Sequence, residues 1–252
     1  MFDGCHDAIV YNSDDMNCEM DKETASFDLV QAMQEELRNA LNSLGGKTSN
    51  GLLDRFVFLL AKHINSAADG YICLRKASKI DASKHLIRPS IEAALQIVAV
   101  RNKPELLYRF AHNERTQNRR LYEPQAIKLG EDYDIQDKKR WEDFTREYKA
   151  FFPAHDLLEQ DISMFAAAKA AGLDWYYDVY YRLYCRFTHA LLAATSGSLN
   201  WTDPEDNPQM AVAICCAVEA VQAAGGAAPN LVALRSRLDN LGTGGTEGQR
   251  SQ

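Results

Sequence analysis

The sequence predicts an all-α protein, a single multi-helix bundle with a helical insertion and disordered termini. Three observations carry this. Apolar residues recur at helical spacing in almost every segment after residue 22; no stretch alternates with the Val, Ile and Thr enrichment of strands; and glycine and proline fall where helices would end or begin. The 252 residues are 46% hydrophobic, enough for one sizeable core. No Pro/Gly/Ser-rich linker interrupts the middle, so one domain is expected over residues 23–241.

Residues 1–22 read as an acidic, disordered arm. Residues 1–36 hold ten Asp or Glu against the single base Lys22, a charge of −9, so the remainder carries +2 of the total −7. A total of −7 argues against a general nucleic-acid binder. The asymmetry leaves room for an autoinhibitory arm masking a basic groove. FDLVQAMQEELRNALNSLGG then sets Phe27, Val30, Leu37, Leu41 and Leu44 near one helical face and stops at Gly45-Gly46. Residues 52–79 form a second helix of about 40 Å, long enough to be the spine of the bundle. A third runs from Asp81 to Val100, with Pro89 marking either a kink or the true first turn. Pro104 opens a fourth whose second half is polar nearly all round. Residues 124–160, charged and aromatic, read as a helical insertion or lid.

Asp174 caps a tyrosine-rich helix, YYDVYYRLYCRFTHALLAATSG; Asn207-Pro208 opens an Ala-rich one; Pro229 to Leu241 is the last, before a disordered tail over 242–252. The apolar run 211–218 falls far short of the ~20 residues that span a bilayer, and the acidic N-terminus does not resemble a signal peptide. Six cysteines without CxxC spacing suit reduced thiols, so a soluble, cytoplasmic protein with no membrane association is expected.

The tyrosine-rich helix carries the candidate chemistry. At 100° per residue Tyr176, Tyr180, Leu183 and Phe187 form a core stripe, while Asp178, Arg182, Cys185, Arg186 and His189 lie opposite. Arg182 and His189 are nearly eclipsed two turns apart. Tyr177, Tyr181 and Tyr184 flank them, so a helix buried on most sides would need partners for its charges. KHLIRPSIEAALQ supplies a candidate: His85, Arg88, Glu92 and Gln96 share a face. Arg four residues before Glu is the weaker order for an intrahelical pair. Glu92 is therefore expected to meet Arg182 or His189 across a helix interface.

RPSIEAALQ, followed about 90 residues later by YRLYCRFTHA, resembles an uncharacterised bacterial family of helical proteins, over roughly residues 50–200. That family pairs an Arg-Ser/Pro-x-x-Glu helix with a Tyr-x-x-x-Ser/Cys-x-x-x-His helix, and the likeness implies helices and no established reaction. More loosely, Arg182 with six residues before His189 is similar to the motif of HEPN-like bundles of bacterial toxins and antiphage systems. Carried over, Arg182 would stabilise a phosphate and His189 act as general acid or base on RNA, in a paired site across a homodimer. Leu183 departs from that pattern, which has a polar residue after the Arg.

Arg109, His112, Arg115, Arg119 and Arg120, interleaved with Tyr108, Phe110 and Tyr122, read either as a solvated helix or as an RNA-contacting surface with stacking. Lys138, Lys139 and Arg140 beside Trp141 read the same way. His63, within an apolar helix, is expected to be packed or capping. No ligand spacing points to a metal, and no cofactor is expected. Two functions follow. One is a HEPN-like defence or toxin-type protein, a metal-independent ribonuclease with Arg182, His189 and Glu92 as catalytic residues and Arg88, Arg186, Tyr181, Arg109 and Arg115 binding substrate. The other is a noncatalytic module that binds a partner protein or small ligand through a buried polar seam.

Overall fold

Helices account for every regular element of the computed structural model, which describes residues 13–44, 51–130, 133–188 and 206–243, with side chains described over 22–44, 51–130, 133–185 and 206–240. Among the described residues there is no strand. The helices are α1 (Ser13–Leu44), α2 (Leu52–Lys76), α3 (Ile80–Lys84), α4 (Ile87–Asn102), α5 (Leu106–Leu129), α6 (Tyr133–Phe151), α7 (Met164–Ala171), α8 (Asp174–Tyr176), α9 (Arg182–Thr188), α10 (Asp206–Ala223) and α11 (Leu231–Thr243). A π-helical turn, Tyr177–Tyr181, joins α8 to α9.

Five helices make the core. α4 and α10 lie at its centre, each against α2, with α1 on α10 and α7 on α4. α10 can sit there because it is built of small residues: Ala211, Ala213, Ala217 and Ala220 are buried, with Met210, Ile214, Val218 and Val221 filling the gaps. α1 contributes Leu29, Val30, Met33, Leu37 and Ala40; of the face expected from its sequence, Val30, Leu37, Leu41 and Leu44 are buried and Phe27 is half-buried. After α10 the chain turns at Gly226, where an added Cβ would stand 2.9 Å from the Ala40 carbonyl oxygen. α11 then docks on α1 through the Asn230 amide donating to Glu36, 2.8 Å.

The helix ends follow local chemistry. Gly130 and Gly172 close α5 and α7 in the left-handed region, at φ 70° and 72°. Ser163 Oγ caps α7 by accepting from the Ala166 N–H at 3.1 Å. Pro89 sits in the first turn of α4, not at a kink, because a break after α3 lets the helix restart at Ile87. Asp174 is the first residue of α8 and not its cap; Leu173 holds that place with no side-chain hydrogen bond. α1 begins at Ser13, inside the segment read as an arm, while residues 1–12 and most of the 242–252 tail lie outside the described residues. α5 continues through Pro124 and pairs with α6, so the 124–160 segment is the far half of a helical hairpin and the strand-free return after it. No described helix is long and apolar enough to cross a membrane.

Candidate functional site

The site is set by the π-turn. Tyr176 and Tyr181 are five residues apart, about 140° out of phase in an α-helix, yet both are buried. The wider turn reconciles this: the Arg182 N–H donates to the Tyr177 carbonyl, five residues back, and one extra residue is absorbed. Tyr176, Tyr181 and Tyr184 therefore face the core, with Tyr180 and Leu183 half-buried beside them, whereas regular geometry predicts Tyr176, Tyr180 and Leu183. Tyr181 stacks on Tyr177, ring centres 4.7 Å apart.

The same turn selects the partner of Glu92. The Tyr181 hydroxyl donates to Glu92 Oε1 at 2.6 Å, and Arg88 Nη2 donates to the same oxygen at 3.3 Å. Arg88 also lies over the Tyr181 ring, 5.7 Å from its centre. Burial, with the hydrogen bond to Glu92, pushes the Tyr181 hydroxyl well above its usual range. Tyr181 is thus a fixed donor. Glu92 does reach across to the tyrosine-rich helix as expected, but the expected contact with Arg182 does not form. Arg182 faces outward, 68% exposed, and pairs with Asp178 one turn back at 3.5 Å. It lines an open hollow of about 470 Å3 with Tyr177, Tyr181 and Cys185. His189 and the Arg186 side chain lie outside the described residues.

On its other side Glu92 opens into a groove of about 630 Å3 between α2, α4 and α5. Phe56, Leu60, Phe110 and Met164 give it an apolar floor; His63, Gln96, Asn113 and Gln117 add polar groups. His63 is exposed toward this groove and not packed or capping. The sequence marked only the α4 side of the groove, Glu92 and Gln96; His63 of α2 and Asn113, Glu114 and Gln117 of α5 join them only through the way the three helices pack. Arg109 and Asn113 build one edge: Arg109 donates to the Gln160 and Asp161 carbonyls at 3.2 and 2.8 Å, and Asn113 clamps the Ile162 backbone in both directions at 2.8 and 3.1 Å. Arg109 is thereby committed to holding the 152–163 return. Arg115 is committed elsewhere, to Asp137 at 2.6 Å and over Trp141. Among the described residues no three His, Cys, Asp or Glu gather as metal ligands would.

A second polar cluster, unmarked in the sequence, is buried at one end of the bundle. The Tyr184 hydroxyl donates to Asp206 at 2.7 Å, Lys84 Nζ stands 4.0 Å from the other Asp206 oxygen, and the Tyr71 hydroxyl donates to Asn207 at 2.7 Å. Asn207 in turn donates to Ser26 of α1 at 3.0 Å. The pair Asp206-Asn207 is visible in sequence only as a helix start. Its buried role depends on which helices meet there.

The model of a family of unknown function, DUF5677, matches residues 54–208. That span contains Arg88, Glu92, the π-turn and every member of the buried cluster except Ser26, and it coincides with the stretch where the two motifs placed the resemblance. No curated protein and no solved structure matches the chain significantly.

Proposed function

The chain belongs to the DUF5677 family of unknown function, and from that premise we propose that it is a noncatalytic helical binding module whose groove between α2, α4 and α5 receives an amphipathic, amine- or amide-bearing ligand, free or as a partner protein's side chains. The observation that carries this reading is the fixed Glu92 carboxylate. Tyr181 and Arg88 both donate to one of its oxygens, Arg88 as an ion pair along the same helix at 3.3 Å, so the group is held in place on the groove wall. A convergent polar group on a rigid scaffold above an apolar floor is the usual composition of a small-ligand site. Glu92 and Glu114 on the lining favour cationic or donor groups over phosphate.

The test is a titration of the full chain, followed by amide chemical shifts, with tryptamine and with its carboxylate counterpart indole-3-acetate. The reading expects the amine to perturb residues of the groove more strongly than the acid, and Glu92→Gln to abolish that preference. Equal response to both probes, or a preference that survives Glu92→Gln, overturns it.

A second reading rests on Arg182. Its guanidinium is open to solvent over a hollow, where a phosphodiester could reach it. Together with the Arg182 to His189 spacing this supports a HEPN-like, metal-independent ribonuclease of a defence or toxin system, acting as a homodimer in the cytoplasm. RNA cleavage in EDTA by the wild type, lost in both Arg182→Ala and His189→Ala, is its expected result; no cleavage, or cleavage retained by either variant, removes it.

A further inference from the structure

We infer a nucleotide-binding site in the α5–α6 hairpin, taking an amino-bearing base and its phosphate; it shares Glu114 with the lining of the Glu92 groove but does not rest on the reading of that groove. The contacts between the helices run in opposite senses, Tyr108 against Tyr148 and Phe144, Arg115 against Asp137, Arg119 against Asp134, so the pair is antiparallel. This brings together the two basic-aromatic runs that lie about 20 residues apart in sequence, and between them opens a pocket of about 480 Å3.

Each part of a nucleotide finds a suitable group there. Tyr122 and Tyr133 line the pocket, and Tyr122 is 52% exposed, a bulky ring left toward water at the rim. On the same lining, Arg115 is locked by Asp137 and lies 4.9 Å from the Trp141 ring centre, so its guanidinium is held in place. Trp141 is itself held by donating to Glu159 at 3.2 Å and by packing on Tyr108. Aromatic rings and an immobilised guanidinium plane are the surfaces on which bases stack. Asn118 and Glu114 line the same pocket with donor and acceptor groups for a base edge; a carboxylate accepts from an exocyclic amino group. Arg140, also on the lining, has no carboxylate within ion-pair distance among the described residues, so its charge is available to a phosphate.

The experiment titrates the full chain calorimetrically with AMP, adenosine, inorganic phosphate and a short oligoadenylate. AMP is expected to bind. Arg140→Ala should weaken AMP at least tenfold while leaving adenosine unchanged, and Tyr122→Ala should weaken both; Arg182→Ala should alter neither, which separates this site from the hollow at the π-turn. All three substituted side chains are exposed, and circular dichroism checks that the variants fold. Oligoadenylate bound at least tenfold more tightly than AMP identifies an RNA strand as the source of the nucleotide, and equal affinity a free nucleotide. No binding of AMP or oligoadenylate, or AMP affinity unchanged in Arg140→Ala, overturns the inference.

Discussion

Single side chains in this protein are tuned mainly by burial. Cys215 is 7% exposed, and burial, with Cys216 and Glu219 nearby, pushes its thiol from the ordinary 9.0 up to about 12. The folded chain therefore keeps a proton that the unfolded chain releases. This contribution to stability is complete below pH 9 and is lost as pH rises from 9 toward 12. Urea unfolding at about pH 8 and about pH 10.5 should show the wild type losing about 2 kcal/mol more than Cys215→Ala between the two; equal losses would contradict the burial effect. Brief alkylation of the native protein should modify the exposed Cys73 and spare Cys215, read by peptide mass mapping. The apolar setting of Cys215 was legible in AVAICCAV. Its neighbour Glu219, which accepts from the thiol at 3.8 Å, is equally visible one turn on.

At the scale of elements, the helices themselves were legible because their ends are written in local chemistry: the left-handed glycines after α5 and α7, Pro89 in a first turn, the small-residue face of α10. What periodicity could not provide was the π-turn. A wheel at 100° per residue puts Tyr180 inward and pairs Arg182 with a neighbouring helix; one absorbed residue turns Tyr181 inward instead and leaves Arg182 to Asp178. The Glu92 half of the site was readable, since an unfavourably ordered Arg88 and Glu92 pointed to an outside partner, but the partner's identity was a property of that turn. Deleting Val179, which is 54% exposed, would make Tyr176, Tyr181 and Tyr184 fall at ordinary α spacing. The deletion should therefore keep the thermal midpoint within a few degrees while altering the hollow around Arg182. A large loss of stability would mean that the turn is required for packing.

For the whole molecule, the buried cluster of Tyr71, Lys84, Tyr184, Asp206 and Asn207 ties α2, α3, α9 and α10 to one another, and Asn207 extends the tie to α1. Asp206 is 2% exposed and Lys84 4%. Breaking a buried ion pair by removing one partner costs about 3–5 kcal/mol, because the other charge is stranded. Asp206→Ala should lower the unfolding free energy measured in urea by that amount, well beyond the loss from Asp178→Ala, whose pair with Arg182 is exposed and worth at most a few tenths of a kcal/mol. Equal, small effects would place the pair in water. The Glu92 site depends on the link that joins the bundle's central helix to the π-turn. A double-mutant cycle of Glu92→Ala and Tyr181→Phe, measured by urea unfolding, tests it most directly. A hydrogen bond from a buried hydroxyl to a carboxylate at 2.6 Å predicts a coupling of about 1.5–3 kcal/mol; additive effects, with coupling near zero, would contradict it.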